Sequence, residues 1–246
     1  SIPDYMHISL KGKRALYKSE LMMLEMLAEA NWERPIYMAV SVGTENHLGM
    51  GNHFVQEGLT YRFTPFDTEK TGVKLDSEKM YDNLMNKFKF GGIDKEGIYI
   101  DENAMRMCYS HRRIFSQLIG QLIREGKTDK AKAALEYAEK MIPAYNVPYD
   151  WQNGAMQMAE AYYQLGEIEK GDNIMKALAD KAVEYLTWYL SLDDQRFAMS
   201  SHEVVDYQLP ILSTEVKLMQ KYNSELAPVY DSKLNELYQM CVDRMK

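Results

Sequence analysis

The sequence predicts a mainly α fold in which a small α/β subdomain is followed by antiparallel helix hairpins, and three observations carry this. Between Ile114 and Pro143 the apolar positions Phe115, Leu118, Ile119 and Leu122 recur at helical spacing, and Ala131, Leu135 and Ala138 do so again beyond Gly126. Forty residues further on, Ala155, Met158, Ala159, Tyr162, Gly166, Gly171, Met175 and Leu178 fall in the same register. Ahead of residue 97, short apolar runs bounded by Pro and Gly read as strands between helices. These patterns divide the chain into a small α/β subdomain at 1–97 and a helical repeat domain at 98–246.

In the repeat region Gly126 supplies the permissive backbone that ends one helix, and Pro143 stops the next. Aromatic, Leu, apolar, Leu, Gly, Ala, bulky apolar, Ala, Pro in that order resembles the tetratricopeptide unit, so the hairpins are expected to be tetratricopeptide-like. A spacing of forty exceeds the 34 or so residues of an uninterrupted array, and Ala144 to Asp150 reads as the inserted connector. A third pair is drawn through Glu203 to Tyr222 and Pro228 to Met245, without Gly or Ala markers and interrupted by Pro210. Three pairs suffice for stacking, because a lone hairpin leaves its apolar face uncovered.

With 246 residues and 46% apolar content the chain can build a sizeable core. A net charge of -7 argues against a nucleic-acid partner, since phosphates call for a basic face. The dense basic run at Lys11, Lys13, Arg14 and Lys18 reads as a solvated helix start. No apolar run is long enough to cross a bilayer, and nothing at the N-terminus resembles a secretion signal. Cys108 and Cys241 fall at apolar helix positions and read as small core residues that do not reveal a compartment. Most of the eighteen methionines should be core filler.

Taken in order, residues 1–14, with Pro3 and Gly12, form an extended lead-in. Ser19 is expected to cap a helix whose Leu21, Met22, Leu24, Met26, Leu27 and Ala28 make so wide an apolar face that it should be buried on more than one side. Asn31 ends that helix, Pro35 forces Arg34 out of the helical region, and Ile36 to Val42 reads as a buried strand. A loop with Gly49 and Gly51 leads to a short helix around His53 to Glu57, then Gly58 and a second strand from Leu59 to Phe66. Helix, strand, helix, strand implies neighbouring strands, with parallel pairing open to them. Asp76 caps an amphipathic helix reaching about Phe88, Gly91-Gly92 breaks it, Ile98 to Ile100 is a candidate short strand, and Asp101 caps the helix entering the first repeat.

His47, His53 and Glu57 are the sharpest candidate for metal chemistry, because residues 53 and 57 would face the same way on one helical turn. A zinc site needs a third firm ligand, and pairing of Glu57 with Arg62 explains the same residues, so no metal or other cofactor is assigned. His202, Glu203 and Asp206 read as first-turn charges behind a Ser201 cap. Asp193-Asp194 after Trp188 and Tyr189 would suit sugar stacking, although aromatics at helical spacing are ordinarily core. Gly49-Met50-Gly51 lacks the rest of a dinucleotide fingerprint, and there is no phosphate loop, nucleophile elbow or CxxC pair. No catalytic residue is assigned.

In helical repeats the outward positions of each first helix line the concave face. The register places Arg113, Gln117 and Arg124 there from the first unit, and Asn153, Gln157, Glu160, Tyr163 and Gln164 from the second. This polar set would suit a peptide or glycan, and an ordinary solvated face would look the same.

The run Asn31-Trp32-Glu33-Arg34-Pro35-Ile36-Tyr37, with Lys18-Ser19-Glu20-Leu21-Met22 before it and Gln56-Glu57-Gly58-Leu59 to Tyr61-Arg62 after it, carries a second resemblance. It resembles the soluble C-terminal region of bacterial multi-pass membrane proteins of a domain-of-unknown-function family related to protein O-mannosyltransferases. The resemblance implies an accessory, extracytoplasmic region, with the membrane-embedded part of the parent chain as its partner and as the seat of any glycosyl transfer. Three expectations follow: a non-catalytic contact domain for protein or glycan, a free-standing peptide-binding scaffold, or a small metal-dependent hydrolase built on Gly49 to Glu57.

Overall fold

The computed structural model describes residues 5–245, so Ser1 and Pro3 of the expected lead-in lie outside the described residues. The chain forms two compact units, Ser1–Lys89 and Phe90–Lys246. The segment 90–97, assigned from sequence to the first domain, clusters with the second, where Phe90 packs on Phe115, His111 and Tyr137.

In the first unit α1 spans Lys18–Glu29 and starts before Ser19: Tyr17 is its cap, and the Tyr17 backbone N–H donates to the Glu20 carboxylate at 2.8 Å. The expectation that α1 is buried on several sides is corrected. Its inward stripe is Met23, Leu24 and Leu27, which pack on the core of Leu48, Met50, Phe54 and Phe63. Leu21, Met22 and Met26 stay more than half exposed, because a three-stranded sheet offers one face to cover.

The strands are β1 (Tyr37–Ala39), β2 (Phe54–Gln56) and β3 (Thr60–Phe63), in the order β1-β3-β2. Both pairings are antiparallel, with Met38 opposite Tyr61 and Val55 opposite Arg62. A parallel pair is ruled out by the three-residue link from β2 to β3, closed by Glu57 N–H to Thr60 O at 2.9 Å; parallel strands need a long crossover. As an edge strand, β1 is largely exposed rather than buried, which corrects the reading of Ile36 to Val42. Where a helix was expected around His53 to Glu57 there is a 3-10 turn, Gly51–His53, running straight into β2. α2 (Thr68–Thr71) is capped by Asp67, and α3 (Ser77–Asp82) by Asp76 as expected. A π-helical turn, Asn83–Lys87, extends α3 and buries Leu84 beside Met80.

The second unit holds no strand at Ile98 to Ile100; Tyr99 there is almost fully exposed. Asp101 caps α4 (Glu102–Arg124), accepting from the N–H groups of Asn103 and Ala104. Then come α5 (Thr128–Met141), α6 (Ala155–Gln164), α7 (Ile168–Ser191), α8 (Asp194–His202), α9 (Leu209–Lys221) and α10 (Ala227–Arg244). α4 packs on α5, α6 on α7 and α9 on α10, while α4 meets α6 and α7 meets α9.

The three hairpins close on one turn geometry. Lys127 N–H bonds Leu122 O across Gly126, and Glu167 N–H bonds Tyr162 O across Gly166. Ser224 N–H bonds Met219 O in the same way across Asn223, with φ +55° there against +73° and +78° at the glycines. Each is a six-to-one Schellman closure, and Asn is the residue that best replaces Gly in the left-handed position. The third pair therefore lacks its Gly marker without lacking its turn. Its first helix is shorter than expected: Glu203–Gln208 is a π-helical turn, Ser201 lies inside α8 rather than capping, and Pro210 sits in the first turn of α9, where its missing N–H is best tolerated.

Arg112, only 1% exposed, ties the 144–150 connector to α4. Its guanidinium donates to the carbonyls of Ile142 at 2.8 Å, Val147 at 2.6 Å and Pro148 at 3.0 Å, and lies over the Tyr149 ring. Tyr149 and Tyr162 both donate to the Glu139 carboxylate, which joins the first hairpin to the second. Cys108 and Cys241 are buried and free, and burial pushes both thiols up.

Candidate functional site

The polar cluster of the first unit is an ion-pair network. Glu57, 2% exposed, accepts from Arg62 Nε at 2.5 Å, Lys79 Nζ at 2.6 Å and Tyr37 OH at 3.0 Å. Burial works against its charge, yet Lys79, Arg62 and Tyr37 outweigh it and hold the carboxyl below its ordinary range. His47 Nε2 faces Val42 O at 3.3 Å, and His53 Nδ1 faces Thr64 O at 3.1 Å. The shared helical turn proposed for His53 and Glu57 is thus corrected to a turn and a strand end. Among the described residues no group of three or more His, Cys, Asp or Glu side chains could hold a metal ion.

The second unit places a different set of groups around a cavity of about 310 Å³. From α7, Lys181, Tyr185 and Tyr189 line it at helical spacing. The π-helical turn and α9 supply Gln208, Ile211 and Glu215, again three and four apart. Tyr109 comes from α4, and Asp150, Trp151 and Gln152 from the capped 3-10 turn that ends the connector.

Glu215 is the unusual member. It is 0% exposed, and neither carboxyl oxygen has a hydrogen-bond partner among the described residues. Burial first, and then the charge of Asp150, push its carboxyl up to about 8. Asp150 accepts from Lys181 Nζ at 2.6 Å and from the Gln152 N–H at 3.0 Å. Burial works against the Lys181 charge, but Asp150 overcomes it and holds the ammonium above its ordinary range. Near neutral pH the cavity therefore contains a closed ion pair and a protonated carboxyl able both to donate and to accept.

A shallower depression of about 760 Å³ shares Lys181 and Tyr185 with this cavity. Trp188, Tyr149 and Pro148 flank it. Trp188 is 55% exposed and meets Tyr189 edge to face at 4.8 Å, so it is a surface aromatic rather than core as its helical spacing implied. Asp193 caps α8, and Asp194 pairs with Arg244 at 2.9 Å; neither lines either hollow. His202 and Glu203 pair with each other, with His202 exposed.

The eight residues mapped to a concave face separate. Arg113, Gln117, Arg124, Gln157 and Gln164 are exposed, and Arg124 bonds Gln121 at 2.7 Å. Glu160 accepts from Lys221 at 2.8 Å and Tyr222 at 3.2 Å. Asn153 and Tyr163 are buried, which corrects their assignment as outward positions. Asn153 Oδ1 accepts from the N–H groups of Ala155 and Asp150, and Tyr163 donates to Asp172 at 2.7 Å while stacking on Tyr222. None of the eight lines the cavity around Glu215. One signal for that cavity was legible: Glu215 sits among Leu212, Val216 and Met219, on the apolar face of its own helix, where an acid is costly without a role.

No helix among the described residues is long and apolar enough to cross a membrane. No curated protein and no solved structure is significantly similar to the chain. Residues 1–83, which carry α1, the Asn31 to Tyr37 run, the whole sheet and α3, are similar to the family described as TMEM260-associated domain 2.

Proposed function

We propose that this chain is a non-catalytic, extracytoplasmic accessory region of a membrane-bound glycosyltransferase-like protein, and that its helical unit contacts protein or glycan through stacked, tetratricopeptide-like hairpins. The observation that carries the reading is the family match over residues 1–83, laid on the motifs that resemble the soluble region of such membrane proteins. Two features of the helical unit support a contact role. The three hairpins close identically, and α7 presents exposed Tyr185 and Trp188 beside Lys181.

Accessory placement makes the family link and the unpaired Glu215 carboxyl parts of one role: chemistry occurs in the parent's membrane part, and this region holds what is being modified. The test is a topology reporter joined after Lys246 in the parent gene product, active only outside the cytoplasmic membrane. Activity is the expected result. An inactive reporter, with a cytoplasmic reporter active in its place, would overturn the placement and favour a free-standing scaffold.

A further inference from the structure

We propose that the cavity between α4, α7 and α9 is a binding site for one neutral pyranose ring, held by the Glu215 carboxyl and the Tyr185 ring. This deepens the preceding reading by naming the ligand class of the helical unit, and it rests on that reading only in treating the unit as a contact surface.

The chemistry of the lining selects the ligand. A carboxyl fully removed from water with neither oxygen partnered carries an unmet hydrogen-bonding demand. Protonated, it needs an acceptor for its O–H and a donor for its carbonyl, and adjacent sugar hydroxyls offer both. An organic cation is disfavoured, because Lys181 already brings a positive charge to the wall and Asp150 is committed to it at 2.6 Å. An anion is disfavoured by the same closed pair, because Lys181, the cationic side chain among the described lining residues, is already committed to Asp150. A purely apolar guest would leave the Glu215 carboxyl without a partner.

What remains is a ligand with hydroxyl edges and an apolar C–H face, and tyrosine and tryptophan walls suit that face. A volume of about 310 Å³ lies at the lower end of ligand pockets, roughly 300–1,000 Å³, and fits one ring rather than a chain. Tyr185 and Lys181 also border the larger depression under Trp188, so a second sugar or the attached polypeptide has an exit in that direction.

The test titrates the 246-residue chain with D-mannose, D-glucose, D-galactose and N-acetyl-D-glucosamine. Binding is followed by calorimetry and by fluorescence of Trp151 and Trp188. Methylammonium and sodium acetate serve as controls. Saturable binding of at least one sugar is expected, weakened at least tenfold by Tyr185→Ala and by Glu215→Leu, with Glu215→Gln keeping most of the affinity. Tyr185 is 43% exposed, so its variant should fold even if Glu215→Leu does not. Three results would overturn the site: no saturation by any sugar with the fold intact, sugar binding unmoved by Tyr185→Ala, or saturation by methylammonium or acetate instead. Because the readout is direct binding, its failure leaves the topology reporter unaffected, and the reporter's failure leaves the binding result standing.

Discussion

Two buried side chains, Arg112 and Glu215, show opposite ways of placing a charge-bearing group inside the helical unit. Arg112 remains satisfied, since three carbonyls and an aromatic face replace its water: one carbonyl caps α5 at Ile142, and those of Val147 and Pro148 belong to a connector with no regular structure of its own. Arg112→Met should therefore cost roughly 3–5 kcal/mol, measured as a fall in the denaturation midpoint, because it leaves buried acceptors unpaired. Glu215 is not satisfied, and its carboxyl rises from about 4.5 to about 8 on folding. The folded state thus holds a proton that the unfolded state has released. The groups around it are Asp150 from the connector turn, Lys181, Tyr185 and Tyr189 from α7, Tyr109 from α4, and Tyr230 from α10. Its contribution to stability is fully present below pH ~4.5 and is lost as pH rises towards about 8. Melting temperature should accordingly fall between pH 5 and 8 more steeply in the native chain than in Glu215→Gln, and parallel profiles would contradict this.

At the scale of elements, helix hairpins depend on where backbones approach and how turns close. A Cβ built on Gly171 would lie 2.5 Å from the Tyr163 ring and 3.1 Å from Ala159 O, so α6 and α7 meet closely there. Gly171→Ala should destabilise by roughly 1–3 kcal/mol through overpacking, read by chemical denaturation. Asn223→Gly should instead stabilise the third hairpin by up to ~1 kcal/mol, since only the left-handed φ is being relieved. These two positions also show why the repeats were only partly legible. Gly126 and Gly166 announce their turns, whereas Asn223 closes the same turn without the expected letter. Asp76 and Asp101 were readable as caps because a side-chain acceptor next to a helical stripe has few other uses. The sense of the short sheet stayed open and the burial of its first strand was misread, because three- and four-residue strands carry too few positions for a period of two, and the β2 to β3 link sets their direction. Beyond the acid on the apolar face of α9, the convergence of the cavity groups was not legible, for a further reason. Tyr109, Asp150, Lys181 and Glu215 are far apart in sequence and converge only once α4, α7 and α9 have packed.

For the whole molecule, the division at Lys89 and Phe90 gives each unit its own core: Leu48, Met50, Phe54 and Phe63 in one, and the stacked faces of α4, α6, α7 and α9 in the other. A fragment of residues 90–246 should therefore fold alone, with a helical circular dichroism spectrum and one cooperative transition. The central claim is that contact with protein or glycan runs through the helical unit, while the similarity to TMEM260-associated domain 2 lies in residues 1–83. The most direct measurement is an amide NMR titration of the full chain with an O-glycosylated acceptor peptide. Shifts should concentrate on α7, α9 and the 150–152 turn. Shifts confined to residues 5–89, with the helical unit unmoved at saturation, would contradict it.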